Sequence, residues 1–451
     1  MQVLMFIDGL GGSGKTYLLN TIIQQWKERN STVVAACSSG IAAFLLIGGR
    51  TAHSKFGIPL RPTPDSTCSW LPTDPKGKFL YSINLIIWDE ITFQNRYSVE
   101  AVERSLRDLK QVERPFGGIS VIFAGHFRQI LPVVKGGSIY DQASLSIKKS
   151  ALCNLLDKKE LDINLRICTD SPDGEINKGY SQWILHVGNG TWQENDVGQI
   201  ELDGIDHLFN PSRDYAVKQV MAFVYKDLQA RINLKSVGEL CSYFEGRGIV
   251  SPLNVDIHTI NQTLPDLIPG RKNQSKSMDH MEEGPLSLSE EVLNGINPPG
   301  FPPHILQLKN KIPVILLQNL NTSKGLVNGT RLLVCKISKH ALSCKIMTGT
   351  RRGQDVGITK IKLTYEDDEK LGITFTRYQL PITLPLVITI NKSQGQSFDT
   401  VGVYSETSVF SHGQLYVALS RSRNVPGIFL GGVGPSSQRD TTNIVCRNIL
   451  V

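Results

Sequence analysis

Residues Gly9 to Tyr17 read GLGGSGKTY, and few folds admit such a stretch. Glycine takes left-handed backbone without penalty, so a run of glycines lets successive N–H groups turn toward one point and make a nest for an anion. Gly9, four residues, then Gly14-Lys15-Thr16 fits the phosphate-loop pattern G-x-x-x-x-G-K-[ST]. The backbone of Gly9, Gly11, Gly12, Ser13 and Gly14 would wrap the phosphates of a nucleotide, with ATP the expected substrate. Lys15 would reach the β- and γ-phosphates, and the Thr16 hydroxyl would sit on Mg²⁺. The flanks agree with this reading. Val3 to Ile7 form an apolar run suited to a buried strand, and Leu18, Leu19, Ile22, Ile23 and Trp26 recur at helical spacing.

A phosphate loop that drives hydrolysis needs an acidic partner ending a neighbouring buried strand. Leu85-Ile86-Ile87-Trp88-Asp89-Glu90 supplies one. Asp89 would hold Mg²⁺ through water, and Glu90 would polarise the attacking water. The pair favours a hydrolase over a kinase.

A chain of 451 residues exceeds one hydrophobic core and predicts two or three domains. With 20% charged and 40% hydrophobic residues the composition is that of a globular protein. No apolar run reaches the roughly 18 residues of a membrane helix. The eight cysteines contain no C-x-x-C pair, which argues against zinc and disulfides and for a reducing compartment. The net charge of +7 fits a polyanionic partner without requiring one.

Short apolar runs at Thr32–Cys37, Leu85–Trp88 and Val121–Ala124 read as parallel strands of a first domain. Val99, Val102, Leu106 and Leu109 mark one face of a helix, with Glu100–Arg104 and Glu103–Arg107 spaced as ion pairs. The polar stretch from Cys168 to Glu175 reads as a hinge. A second region has strands at Gly248–Ser251, Leu386–Ile390, Val401–Tyr404 and Ile428–Leu430, and a helix at about His412–Arg423. Gly270 to Pro303 is polar and rich in Pro and Gly, and reads as loop. Residues 305–384 alternate apolar and polar with turn signals such as Asn328-Gly329, which predicts an antiparallel β module.

Two further stretches, SSGIAAFLLIGGRTAHSKFGI (Ser38 to Ile58) and FAGHFRQILPVV (Phe123 to Val134), resemble the Pif-one family of superfamily-one DNA helicases. Within it, SSGIAAFLL, IIWDE and LVNGTRL look most like the helicase region of Helitron transposons. LPLVITINKSQGQSFD (Leu384 to Asp399) and LYVALSRSR (Leu415 to Arg423) resemble the family's fifth and sixth helicase motifs. The matches run from residue 3 to about 446 in the family's order.

The resemblance implies an α/β fold of two tandem RecA-like P-loop NTPase domains with a small SH3-like β module inserted in the second. The expected divisions are 1–167 for the first domain, with a wedge-like insertion at about 57–80, then 168–304 and 385–451 for the second, and 305–384 for the module. It implies that Gln129 senses the γ-phosphate, that Arg166 and Arg421 are the arginines aimed at it, and that Gln394 and Gly395 join the nucleotide site. It assigns DNA-phosphate contacts to Ser38, Ser39, Thr51, His53 and Ser54 in the first domain and to Thr389, Asn391, Lys392 and Ser393 in the second. Short hydroxyls and amides suit a moving strand, because backbone contacts carry no sequence information. Phe56, Trp70 and Phe79 fall where the family carries a strand-separating wedge. The activity implied is an ATP-dependent, Mg²⁺-requiring DNA helicase of 5′-to-3′ polarity, acting as a monomer on single-stranded and forked DNA. Its expected work is repair, recombination, telomere maintenance or transposition, in the nucleus or the mitochondrion.

Three departures accompany the resemblance. The family's upstream glutamine-bearing segment that grips adenine has no counterpart here, so the chain is expected to be the C-terminal part of a longer protein. Arg271 to Ser275 stands in place of a more regular stretch. His126 stands where the family has aspartate: either that aspartate mainly holds a turn, which a histidine ring nitrogen can also do, or restoring it is expected to raise DNA-stimulated turnover several-fold without changing DNA affinity. Two readings stay open beside the helicase: an ATPase that remodels without unwinding, and a decayed transposon remnant that binds nucleic acid or ATP without doing work.

Overall fold

The computed structural model describes residues 2–450 apart from 44, 135, 166–173, 197, 203, 235, 284–287, 299, 350, 368–372 and 435–439. By packing the chain divides into two compact units, one of Met1–Ala216 with Thr389–Val451 and one of Val217–Ile388. No helix among the described residues is long and apolar enough to cross a membrane.

The first unit is built on a six-stranded sheet. Its strands are β1 (Leu4–Gly9), β2 (Val33–Cys37), β3 (Arg50–Thr51), β4 (Leu85–Asp89), β5 (Ser120–Gly125) and β6 (Asp157–Leu161). They run in the order β3-β2-β4-β5-β1-β6, with every pairing parallel. β4 and β5 are buried along their whole length, which explains their unbroken apolar character in sequence. Trp88 on β4 anchors one face of the sheet. It stacks on Phe56 with ring centroids 5.3 Å apart and meets Phe123 edge-on at 6.1 Å. Helix Lys15–Glu28 buries Leu19 and Ile23 against the other face. Helix Arg96–Lys110 has the expected apolar face of Val99, Val102, Leu106 and Leu109. On its flank Glu103 and Arg107 pair at 3.0 Å as expected, whereas Arg104 gives its guanidinium to the carbonyls of Ser66 and Pro64.

The same unit holds parallel pairings of Thr400–Ser405 with Ile428–Val433, and of Ile428–Val433 with Asp206–Asn210. The helix expected over His412–Arg423 is shorter, Gln414–Leu419. Gly413 begins it in left-handed backbone, where a Cβ would lie 2.4 Å from the Arg128 carbonyl. Beyond Leu419 the Arg421 side chain folds back onto the Val417 carbonyl.

The second unit carries antiparallel sheets through the region predicted to be a β module. One runs Asp355–Thr359, Ala341–Ile346, Arg331–Ile337, Pro313–Leu316, Ile382–Thr383. Strands also come from the segment expected to be loop. Asn273–Lys276 pairs with Ile305–Leu308, and Met278–Glu283 pairs with Ile373–Gln379. Helix Glu290–Gly295 follows, capped by the Ser289 hydroxyl. The polar sequence Met278–Glu283 is held as a strand by an ion pair that one-dimensional patterning does not show. Asp279 and Arg377 are both 0% exposed and meet at 2.6 Å, and the guanidinium also donates to the Pro302 and Leu293 carbonyls. Breaking such a pair leaves an uncompensated buried charge, which costs about 3–5 kcal/mol. Asp279→Ala is therefore expected to lower unfolding free energy by that amount in urea denaturation, and a loss within about 0.5 kcal/mol, as at an ordinary surface site, would contradict this account.

Candidate active site

Parallel strands end on one edge of a sheet, and here that edge gathers the sequence-predicted groups. The phosphate loop leaves β1 at Gly9, the Asp89–Glu90 pair ends β4, and the segment bearing Gln129 leaves β5. Together with Gly395 and Arg421 they line a cleft of about 420 Å³, whose walls include Gly11, Gly12, Gly14, Lys15 and Thr16.

The loop has the backbone that its glycines predict, with φ of 92° at Gly12 and 83° at Gly14. Gly9 is required for a different reason, close approach: an added Cβ would lie 2.6 Å from Ser13 Oγ and 2.9 Å from Lys15 Cγ. Lys15 Nζ donates to the carbonyls of Gly9 and Leu10. Ser13 Oγ is buried and has no hydrogen-bond partner among the described residues.

Glu90 follows β4 in left-handed backbone, φ 53° and ψ 39°. A non-glycine residue held there stores on the order of 1–3 kcal/mol, a strain that clusters at functional sites. The turn aims Glu90 into the cleft, and its Oε2 is buried without a hydrogen-bond partner among the described residues. Burial, and then the neighbouring Glu90 carboxylate, push the Asp89 carboxyl well above the ordinary carboxylate range, against the opposing pull of Lys15. Two carboxylates crowded in a dry site beside an ammonium, with an orphaned oxygen between protein and cleft, suit a divalent cation. Thr16 and Asp89 are the residues that would hold it.

Gln129 and Gln394 are both buried and joined, Gln394 Nε2 donating to Gln129 Oε1 at 3.3 Å. Gln394 thus sits behind the cleft, while Gly395 lines it. Arg421 is 1% exposed. Its guanidinium donates to the carbonyls of Val417 at 2.9 Å, Ser393 at 3.1 Å and Gln396 at 2.8 Å, and to Ser420 Oγ at 2.8 Å. Arg166 lies outside the described residues. Four cleft residues escaped sequence reasoning: Tyr17, Leu165, Ser397 and Arg423. Tyr17 and Arg423 adjoin recognisable motifs, which was the available signal, whereas nothing in the sequence marks Leu165.

The residues expected at DNA fall on the same side of the first unit. Ser38 follows β2, its N–H on the Asp89 carbonyl and its hydroxyl accepting from Trp88 Nε1 at 3.3 Å. Ser39 Oγ accepts from the Ala42 N–H. Thr51 precedes the short helix Ala52–Phe56, in which His53 is half-buried and Ser54 exposed. Burial holds the His53 imidazole below its usual range. Burial, and then repulsion from Arg50, Lys27 and Lys76, lower the Lys55 ammonium, so these cations share one patch. In the other segment Asn391 Oδ1 accepts from Gln414 Nε2 and Lys392 is exposed. Thr389 Oγ1 accepts from the Lys392 N–H. Ser393 is wholly buried with its hydroxyl on the Ile390 carbonyl. The two segments approach one another, since a Cβ on Gly395 would lie 3.4 Å from that of Ala42. Phe56 is core rather than wedge, and Trp70 Nε1 is tied to the Phe56 carbonyl. Phe79 is exposed, with Lys55 over its ring.

Residues 2–198 match the family model of the PIF1-like helicase, and residues 291–337 match that of the DNA helicase Pif1 2B domain. The ATP-dependent DNA helicase PIF1 of Mus musculus is 28% identical over 446 residues, which cover 98% of this chain and 59% of that protein. The chain thus spans about three-fifths of the curated relative's length. Among solved structures, a Pif1 helicase from Bacteroides in complex with ADP-AlF3 and ssDNA superposes with a TM-score of 0.67 at 21% identity, covering 99% of this chain and 91% of that one. Pif1 helicase from Candida albicans superposes with a TM-score of 0.64 at 20% identity, covering 99% and 94%. These likenesses establish the RecA-like α/β fold.

Loop closure at Gly9 yields a direct test. Gly9→Ala is expected to weaken ATP binding at least about tenfold, roughly 1.4 kcal/mol, by isothermal titration calorimetry. Gly179→Ala, where an added Cβ meets nothing within 4 Å, should leave affinity unchanged.

Proposed function

The chain belongs to the PIF1-like helicase family, and from that premise we propose that it is an ATP-dependent DNA helicase, coupling Mg-ATP hydrolysis to movement along single-stranded DNA and to duplex unwinding. One observation supports this reading most. A single cleft gathers phosphate loop, carboxylate pair, Gln129 and Arg421, and the Arg421 guanidinium also rests on carbonyls of the segment that carries Asn391 and Lys392.

In this reading the loop N–H groups and Lys15 hold the β- and γ-phosphates. Thr16 and Asp89 hold Mg²⁺, which when bound neutralises charge building on the phosphates. Glu90 orients a water and takes its proton as the water oxygen bonds to the γ-phosphorus and the bond to the ADP oxygen breaks. Gln129 reads the γ-phosphate. Arg421 spreads positive charge over the transferring group, a role worth roughly 10³ to 10⁵ in rate, and Arg166 is proposed as its companion.

Unwinding costs about 1.4 kcal/mol per base-pair step in stacking, so directional progress needs this hydrolysis. Strand contact falls to Ser38, Ser39, Thr51, His53, Ser54, Thr389, Asn391 and Lys392, with Ser393 shaping the loop from within. The patch of Lys27, Arg50, Lys55 and Lys76 attracts the phosphates. We read residues 1–167 and 168–304 with 385–451 as the two RecA-like domains and 305–384 as the inserted module. The proposed polarity is 5′-to-3′ and the acting species a monomer, at work in the nucleus or mitochondrion.

Hydrolysis should be stimulated by single-stranded DNA in a coupled ATPase assay. Lys15→Ala is expected to abolish it, and Glu90→Gln to retain ATP binding while stopping turnover. Hydrolysis indifferent to DNA would instead favour the non-unwinding ATPase, and binding without hydrolysis the inert remnant. Arg421→Ala should cut kcat by at least about tenfold with ATP affinity held within about threefold, because a group aimed at developing charge acts in the transition state. Single-strand binding should be tolerant of sequence, its log–log salt slope about −0.7 per phosphate contact. A flat salt response would point away from the phosphate-contact surface.

A further inference from the structure

His126 is 1% exposed yet stands at a junction of polar contacts. Its Nδ1 lies 2.9 Å from Asp8 Oδ1. An ionised carboxylate only accepts, so Nδ1 carries the proton. Nε2 is buried with no hydrogen-bond partner among the described residues, an arrangement that a neutral ring tolerates and an imidazolium does not. Burial accordingly draws the imidazole down to about 4, against the raising influence of Asp8. Burial pushes the Asp8 carboxyl up, but the hydrogen bond from His126 and the charges of Arg128 and Lys15 hold it below the usual range.

The contacts of these two residues reach the phosphate loop, the Gln129 segment and the turn that follows Glu90. Asp8 directly precedes Gly9 of the phosphate loop and pairs in register with Gly125, the last residue of β5. The His126 carbonyl accepts from the Gln129 N–H at 3.0 Å and from the Thr92 hydroxyl at 3.4 Å. Thr92 is fully buried, two residues beyond Glu90.

We propose that Asp8 and His126 form a positioning pair for ATP hydrolysis, locking the phosphate loop to the Gln129 segment. The proposal rests on the ATPase reading above. Neither residue is assigned a contact with nucleotide; each acts through the loop it anchors. The expectation that aspartate at position 126 improves the enzyme is thereby reversed. His126→Asp would set a second, buried carboxylate against the partly exposed one of Asp8, and two such groups at hydrogen-bonding distance cannot both ionise without cost.

The test measures steady-state ATP hydrolysis with single-stranded DNA, affinity for a non-hydrolysable ATP analogue, and thermal unfolding, in four variants. His126→Asp is expected to lower kcat at least about tenfold, the scale of a small misplacement of reacting groups. The double variant Asp8→Asn/His126→Asp moves the carboxylate across the pair and should recover kcat to within about threefold of the unmodified chain. His126→Asn keeps an N–H for Asp8 and should also stay within about threefold, whereas His126→Leu should not. In His126→Asp and His126→Leu kcat should change more than KM for ATP. Full or raised activity in His126→Asp overturns the proposal, as does a double variant no better than the single one. Equal activity of the Asn and Leu variants also overturns it, by assigning the site to packing alone, and this comparison holds even if His126→Asp fails to fold. An unmodified chain without DNA-stimulated hydrolysis overturns the function reading and this pair with it; an active chain with any of the preceding results overturns the pair alone.

Discussion

The phosphate loop, the Asp89–Glu90 pair, the Gln129 segment and Ser38 all depend on the register of four parallel strands. Ile7 lies beside Ala124, Trp88 beside Phe123, and Cys37 beside Asp89. Parallel hydrogen bonding therefore brings β1, β5, β4 and β2 to the same level before each chain turns out of the sheet. One residue further on begin the phosphate-loop approach, the Gln129 segment, Glu90 and Ser38. A one-residue slip in any strand would turn its side chains to the opposite face. Wholly buried apolar strands hold the register, and Trp88 with Phe56 and Phe123 fastens them on one side.

This placement separates two kinds of chemistry. Toward β1 and β4 the cleft concentrates carboxylates, an ammonium and backbone N–H groups, which suits the transfer of a phosphoryl group. Toward β2 and β3 the surface carries hydroxyls, a histidine whose imidazole burial holds below its usual range and a cluster of cations, which suits a chain of phosphates. The sheet edge is continuous between them: the Ser38 N–H rests on the Asp89 carbonyl. Asp89 and Ser38 are thereby joined directly, with no residue between them.

Sequence revealed those parts of the site whose chemistry is local. The phosphate loop carries its own conformational demand, and Asp89–Glu90 announces itself at the end of an apolar run. What stayed hidden was long-range. Asp8 and His126 are 118 residues apart, and nothing around Asp8 indicates which strand will lie beside it. Met278–Glu283 lacks the alternation of a strand because its burial comes from Asp279 meeting Arg377, 98 residues downstream. For Phe56 the sequence left wedge and packing equally open, and the Trp88 contact shows it to be core. The helix at Gln414–Leu419 is shorter than its periodicity because Gly413 and the fold-back of Arg421 set its ends.

Arg421 has a limited number of N–H groups, and two of its hydrogen bonds hold the loop from Ser393 to Gln396 in shape. A guanidinium that leaves these contacts for the cleft gives up carbonyls it now satisfies, and those carbonyls belong to the loop that follows Lys392. The cleft and the loop thus compete for one side chain. Whatever draws this guanidinium toward the cleft draws on the support of the loop as well.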